Sequence, residues 1–288
     1  MSEFKKGAFY ILLAWFFFTL VITLSRFTSR ESSVAIVLFS QNLISLLFML
    51  PFMLKEGKGA FASSKFKVIL LRGAAGYLSF AFAFFAVQYT SLVNTVLLSN
   101  ASPLFIPLII FAWRGIHIGY KLWIGIITGF IGIGFILKPD IHLLTNLGAI
   151  LALSSALCFA ISMICMRRLI KTEPVHTILF YHFLIGTLIS LPFAIYTWNF
   201  PTCTVLLQLI LIGILSFIGQ YFILSAFRFG KPSALSPFTY SSVVYATILQ
   251  WFIFKTFPDL LSIIGIIFIC AGSIVCIIYA ESAEKKIR

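Results

Sequence analysis

The chain has 288 residues, of which 61% are hydrophobic and 10% charged, with a mean hydropathy of +1.08. Soluble domains carry about 25% charge and about 45–50% apolar residues, so this balance excludes a soluble enzyme, a coiled coil and a disordered chain, and makes lipid the solvent for most of the surface. The net charge of +13 would suggest nucleic acid in a soluble protein, but here the basic residues are scattered among short connections, so the expected partner is the lipid bilayer and no nucleic acid.

Ten apolar runs follow along the chain, at about 7–25, 34–54, 68–87, 92–112, 121–137, 148–166, 176–196, 205–224, 233–254 and 260–280. Each is near the roughly 20 residues that a bilayer-crossing helix needs, and none alternates with the two-residue period of a barrel wall. Lys5 and Lys6 precede the first run, which has Trp15 midway and no Ala-x-Ala cleavage site after it; it reads as a retained helix. Gln41 and Asn42 in the second run and Asn94 in the fourth suit contacts at helix ends or between helices. The third run carries Tyr77 and Phe80. The fourth reads Ser99-Asn100-Ala101-Ser102-Pro103, with Pro107 beyond. Proline lacks an N–H, so it frees carbonyls and interrupts the helix.

The fifth run has Gly125-x-x-x-Gly129 with Gly132 beyond, a spacing that lets helices approach closely, either inside the chain or in a homodimer. Four of the five cysteines lie in apolar runs without a Cys-x-x-Cys pair and read as small core residues. His182 is in the seventh run, Gln220 in the eighth, and the ninth opens Ser236-Pro237-Phe238-Thr239-Tyr240-Ser241, with Tyr245 following.

Charge predicts orientation. With the N-terminus in the cytoplasm, 17 of the 21 Lys and Arg face it, and only Arg26, Arg30, Lys138 and Lys255 lie opposite. That asymmetry favours both termini inside and an even number of spans. The halves also repeat. An offset of 141 pairs Gly7 with Gly148, Arg26 with Arg167 and Pro51 with Pro192; from Gly73 an offset of 140 pairs Gly73 with Gly213, Ala86 with Ala226, Gly125 with Gly265 and Gly132 with Gly272. Five helices per half is an odd number, so the halves insert with opposite orientation, as is common among secondary transporters. The expected fold is an all-α polytopic membrane protein with ten transmembrane helices in two inverted five-helix repeats, at 1–140 and 145–282, and a cytoplasmic tail at 283–288.

Matching interrupted helices mark the solute site in such proteins. Under the offset Asn100 faces Tyr240, so Ser99, Asn100, Tyr240, Ser241 and Tyr245 are candidate binding residues, with Trp15, Tyr77, Phe80 and its repeat mate Gln220 as further candidates. The alternative is a kinked packing helix whose hydroxyls bond its own backbone. All eight acidic residues lie at helix ends, in loops or in tails, leaving no carboxylate at mid-depth to relay a proton or hold sodium. His182 is the titratable candidate for coupling, against the plainer reading of a packing histidine. Arg72 and Arg228 lie toward the cytoplasmic ends, where they mark orientation or attract an anion. No catalytic, nucleotide-binding, metal-binding or cofactor motif occurs, so no cofactor, metal or catalytic residue is expected.

These residues resemble the drug/metabolite transporter superfamily, in its EamA-domain branch. The resemblance rests on two five-helix halves, on Leu71-Arg72-Gly73, on Leu137-Lys138-Pro139, and on Ser236-Pro237-Phe238-Thr239-Tyr240 leading to Phe252-Ile253-Phe254 and Phe257-Pro258-Asp259. It implies an inner-membrane carrier of amino acids, nucleotide-like metabolites, vitamins or drugs, with a cavity lined chiefly by runs 1, 3, 4, 6, 8 and 9. Ile116 and Thr256 stand where the family often has Glu. The end of the chain is also similar to S-adenosylmethionine uptake carriers. The competing expectations are a membrane-embedded enzyme, which would need convergent acids or metal ligands, and a scaffold without transport.

Overall fold

A computed structural model of the protein describes residues 3–57, 61, 63–115, 119–137, 147–229, 235–257 and 259–285. The linker between the predicted repeats, the end of the predicted tail, and Lys58, Ile116, Lys138, Pro139, Asp140, Lys231, Ser233 and Pro258 lie outside the described residues.

The helices are α1 (Glu3–Thr28), α2 (Val34–Glu56), α3 (Phe66–Tyr89), α4 (Leu92–Ser99), α5 (Ser102–Arg114), α6 (Tyr120–Leu137), α7 (Leu147–Leu169), α8 (Val175–Tyr196), α9 (Cys203–Phe229), α10 (Ser241–Phe254) and α11 (Leu260–Lys285), with a 3-10 turn at Ser236–Tyr240 before α10. Local chemistry sets their ends. The hydroxyls of Ser33 and Ser91 accept from the N–H groups of Ile36 and Asn94, capping α2 and α4. Gly115 takes a left-handed conformation (φ 64°) to close α5.

Seven spans are long and apolar enough to cross a membrane, one being the broken pair α4–α5 at Leu92–Trp113; three shorter apolar helices, Tyr120–Phe135, Phe238–Phe254 and Leu260–Val275, occupy the remaining predicted runs. Large apolar side chains such as Leu54, Leu188 and Leu207 are exposed, while Ser, Thr, Ala and Gly fill much of the interior. That is the distribution expected when the outer solvent is lipid and helices associate through small residues.

Repeat mates run antiparallel. In α2 and α8, Ser33 bonds Thr197 at one end through their hydroxyls (2.7 Å), and Glu56 pairs with His176 at the other. In α4 and α10, the N–H of Val93 donates to Gln250 Oε1 (3.0 Å), while further along Asn100 Nδ2 donates to Ser242 Oγ (3.0 Å). In α6 and α11, Lys121 lies over the Tyr279 ring near one end, and Gly132 meets the backbone of Gly265 and Ile269 toward the other. The remaining mates cross over: α1 packs along α9, with Gly7 against the Ala226 carbonyl and Thr28 donating to Gln208, and α3 packs along α7, with Thr90 against Gly148 and Ser155 donating to the Ser79 carbonyl. The fold is therefore two inverted five-span repeats.

The glycine face at Gly125, Gly129 and Gly132 is used within the chain. A Cβ on Gly272 would lie 2.4 Å from Gly129 N and 2.5 Å from the Gly125 carbonyl, and one on Gly129 would lie 2.4 Å from Leu104. This small-residue face packs inside the chain, against α11 and α5.

Candidate functional site

Between the halves lies a small cavity of about 20 Å³, room for a single ordered water. Phe18 of α1, Phe159 of α7, Phe80 of α3 and Gln220 of α9 all reach it. Phe18 and Phe159 are separated by 141 residues and Phe80 and Gln220 by 140, so both pairs are repeat mates and the cavity sits on the pseudo-twofold axis. Ser162 and Met163 of α7 and His182 of α8 complete much of the wall.

Arg72 supplies the charge. It is seven residues into α3 and 3% exposed. Gln220 Oε1 accepts from its Nη2 at 3.1 Å, and Ser162 Oγ donates to its backbone carbonyl at 3.2 Å. Its Nε and Nη1 are buried without a hydrogen-bond partner. Gly76, one turn on, makes the space: a Cβ there would lie 2.8 Å from His182 Cε1 and 3.3 Å from Ser162 Oγ. His182 is 2% exposed, and its Nδ1 also lacks a partner.

Of the residues predicted from sequence, Phe80, Gln220 and His182 meet at this cavity. Trp15 stands just behind it, with its ring 5.6 Å from Phe18 and 5.8 Å from Phe159, and its Nε1 buried without a partner. Tyr77, next to Gly76, is buried in the core.

The interrupted helices are confirmed but lie apart from this lining. The chain breaks between α4 and α5 at Asn100–Ala101, and the mate positions Tyr240–Ser241 mark the change from 3-10 turn to α10. Asn100 meets Ser242 rather than Tyr240, and also donates to its own Val96 carbonyl (2.8 Å). Ser99 and Ser241 have buried hydroxyls without partners, and Tyr245 packs edge-on against Phe16 at 5.5 Å. The cavity wall thus includes run 7, through His182, and omits runs 4 and 9. Arg72, which the sequence placed toward a cytoplasmic helix end as an orientation marker or an attractor of anions, is instead buried at this cavity. One signal separates it: its mate at an offset of 140 is Ile212, so the charge belongs to one half only.

The EamA-like transporter family matches the chain twice, at residues 5–138 and 146–278, and the chain belongs to that family. It is similar to the S-adenosylmethionine uptake transporter of Rickettsia prowazekii, 26% identical over 279 residues that cover 95% of this chain and 94% of the relative. The pseudopaline exporter CntI of Pseudomonas aeruginosa is 26% identical over 286 residues, covering 98% of each. The riboflavin transporter of Vibrio cholerae is 25% identical over 261 residues, covering 88% of this chain and 86% of its own. A solved crystal structure aligns over 97% of this chain and 99% of its own with a TM-score of 0.68 at 17% identity, a likeness of fold. The family and these relatives are transporters, so the chain is a multi-pass membrane transporter of a small-molecule solute and not an enzyme.

Proposed function

We propose that the chain is a secondary carrier that moves a small polar or amphipathic metabolite across the inner membrane by alternating access, with both termini cytoplasmic. The solute class includes amino acids, vitamins and nucleotide-like metabolites such as S-adenosylmethionine. The observation that carries this reading is the cavity on the axis between antiparallel halves, walled by the mate pairs Phe18 with Phe159 and Phe80 with Gln220. Two similar halves of opposite orientation can exchange conformations, and the exchange presents one pocket to each side in turn. In the present conformation the pocket admits one water, so the helices around it must separate for a metabolite to enter. The carriers of S-adenosylmethionine and riboflavin among the relatives support the solute class.

In this reading the repeats divide at 1–140 and 145–282, with 283–288 as a tail. Phe80 and Gln220 contact the solute at the cavity, and Trp15 and Tyr77 back its wall. Ser99, Asn100, Tyr240, Ser241 and Tyr245 line the route where the interrupted helices part. Two copies, where they associate, use a face other than Gly125–Gly132. Transport proceeds by exchange or facilitated diffusion, because no acidic residue sits mid-span to carry a coupling ion.

A thermal-shift screen of the purified protein over amino acids, nucleotides and vitamins, followed by counterflow in proteoliposomes, tests the carrier. The expected result is at least one stabilising solute that is also exchanged, with the stabilisation weakened by Asn100→Ala or Tyr240→Ala. A hit indifferent to both changes removes the interrupted helices from the site. For coupling, uptake by His182→Ala should respond to a pH jump as the unaltered protein does, whatever its overall rate; a pH response lost in the variant alone would make His182 a proton carrier.

A further inference from the structure

Arg72 is a buried cation that, among the described residues, has no carboxylate beside it. Among the described residues, the acids are engaged elsewhere or stand at the ends of helices. Glu56 pairs with His176, Glu173 accepts from Ser64 Oγ at 3.2 Å, and Asp259 accepts from Ser262 Oγ at 2.6 Å. Gln220 is neutral and satisfies one N–H of the guanidinium, leaving Nε and Nη1 buried and unbonded. A buried charge that lacks its counter-charge destabilises a fold strongly, and packing does not demand one here, because the corresponding place in the other half is filled by Ile212 at 0% exposure. The cation faces a cavity whose remaining wall is largely aromatic and thioether.

We propose that Arg72 is the docking point for a carboxylate of the transported solute, so that the substrates are organic acids, amino acids or amino-acid derivatives with an apolar or aromatic remainder. This rests on the carrier reading above. One guanidinium matches one negative charge, and Gln220 fixes its plane, whereas a phosphate dianion would leave a surplus charge among Phe18, Phe80 and Phe159. His182 Nδ1, unbonded in the same wall, is free to meet a second polar group on the solute. Arg72 appears in only one half, which holds an asymmetric solute by its charged end.

The test is thermal unfolding of the full-length protein in detergent with matched pairs. These are S-adenosylmethionine against its decarboxylated form, and methionine, phenylalanine and tryptophan against their amides, with acetate, phosphate and chloride as simple probes. An acid should stabilise at concentrations about tenfold or more below its amide, the scale of one charge-assisted contact. Arg72→Gln should erase that preference and Arg72→Lys should keep part of it. Gln220→Glu places a carboxylate beside the guanidinium; it should raise the melting temperature without solute and abolish the acid preference, and it serves if Arg72→Gln does not fold. Equal response to acids and amides, an acid preference that survives Arg72→Gln, stabilisation by phosphate or chloride as strong as by acids, or no stabilising acid at all would each overturn the proposal. Acids that bind with the expected preference but fail to exchange in proteoliposomes leave the docking site standing and overturn the carrier reading instead.

Discussion

The molecule builds one helix crossing twice and uses it differently each time. Where α3 crosses α8, Gly73 lies against Ile185 and Gly76 against His182; where α9 crosses α2, Gly213 lies against Ile44 and Ser216 meets Gln41. Every one of these residues is the repeat mate of its counterpart. In the second crossing Gln41 Nε2 donates to Ser216 Oγ at 2.6 Å and Ser45 Oγ donates to the Gly213 carbonyl at 2.8 Å, so helix meets helix through direct bonds. In the first, glycine replaces the serine and a ring replaces the amide, and the space left over is lined by Arg72 instead of Ile212. The glycines at 73 and 213 each let an isoleucine of the crossing helix approach, Ile185 and Ile44, so the close crossing is common to both halves. The chemistry comes from three one-sided substitutions: Arg72 for Ile212, Gly76 for Ser216 and His182 for Gln41.

The sharpest way to break that comparison is to move the charge. Ile212→Arg buries a guanidinium in the crossing that has no cavity lining to receive it, and should cost about 2.5–3.5 kcal/mol, the scale for a charge at mid-membrane. The readout is a lower apparent Tm and a loss of monodisperse protein in size-exclusion chromatography. Arg72→Ile, the reverse change, should raise the Tm when no solute is present. If both substitutions lower stability alike, Arg72 is satisfied where it stands and the two crossings do not differ in kind. Next in size, Ser216→Ala removes the acceptor of the Gln41 amide; interhelical hydrogen bonds of this sort contribute about 0.6 kcal/mol, and at most about 1.7, so the Tm should fall modestly while solute protection is retained.

The spans and their inversion were legible because lipid imposes long apolar runs and the glycine mates survive at constant offsets. The break at Asn100–Ala101 was legible from Pro103, and its counterpart at Tyr240–Ser241 from Pro237. Partners were not. Asn100 and Tyr240 align by offset, yet antiparallel α4 and α10 cross so that Asn100 reaches Ser242, a matter of register that no repeat alignment contains. Arg72 was misplaced for a similar reason. A basic residue about two turns from a helix end can snorkel to the interface or turn inward, and the rotation of α3 against α7 and α8 decides which. His182 was visible as a histidine inside a span, but its place on the cavity depends on Gly76 of another helix.

Gly76→Ala has a small expected effect on stability and sharpens the comparison most. The added methyl would meet His182 Cε1 at 2.8 Å and Ser162 Oγ at 3.3 Å, both on side chains that can yield, so the cost should be no more than about 1 kcal/mol, the low end for overpacking. Ser216 at the mate position already carries a Cβ, and there the crossing holds a bonded Gln41. Gly76→Ala therefore makes the first crossing resemble the second in volume while leaving Arg72 in place. If the cavity is what the missing Cβ creates, the variant should keep a near-normal Tm and lose its solute-dependent stabilisation. A variant that binds solute as before would mean that the glycine serves helix approach alone, and that the opening on the axis arises from the movement of whole helices.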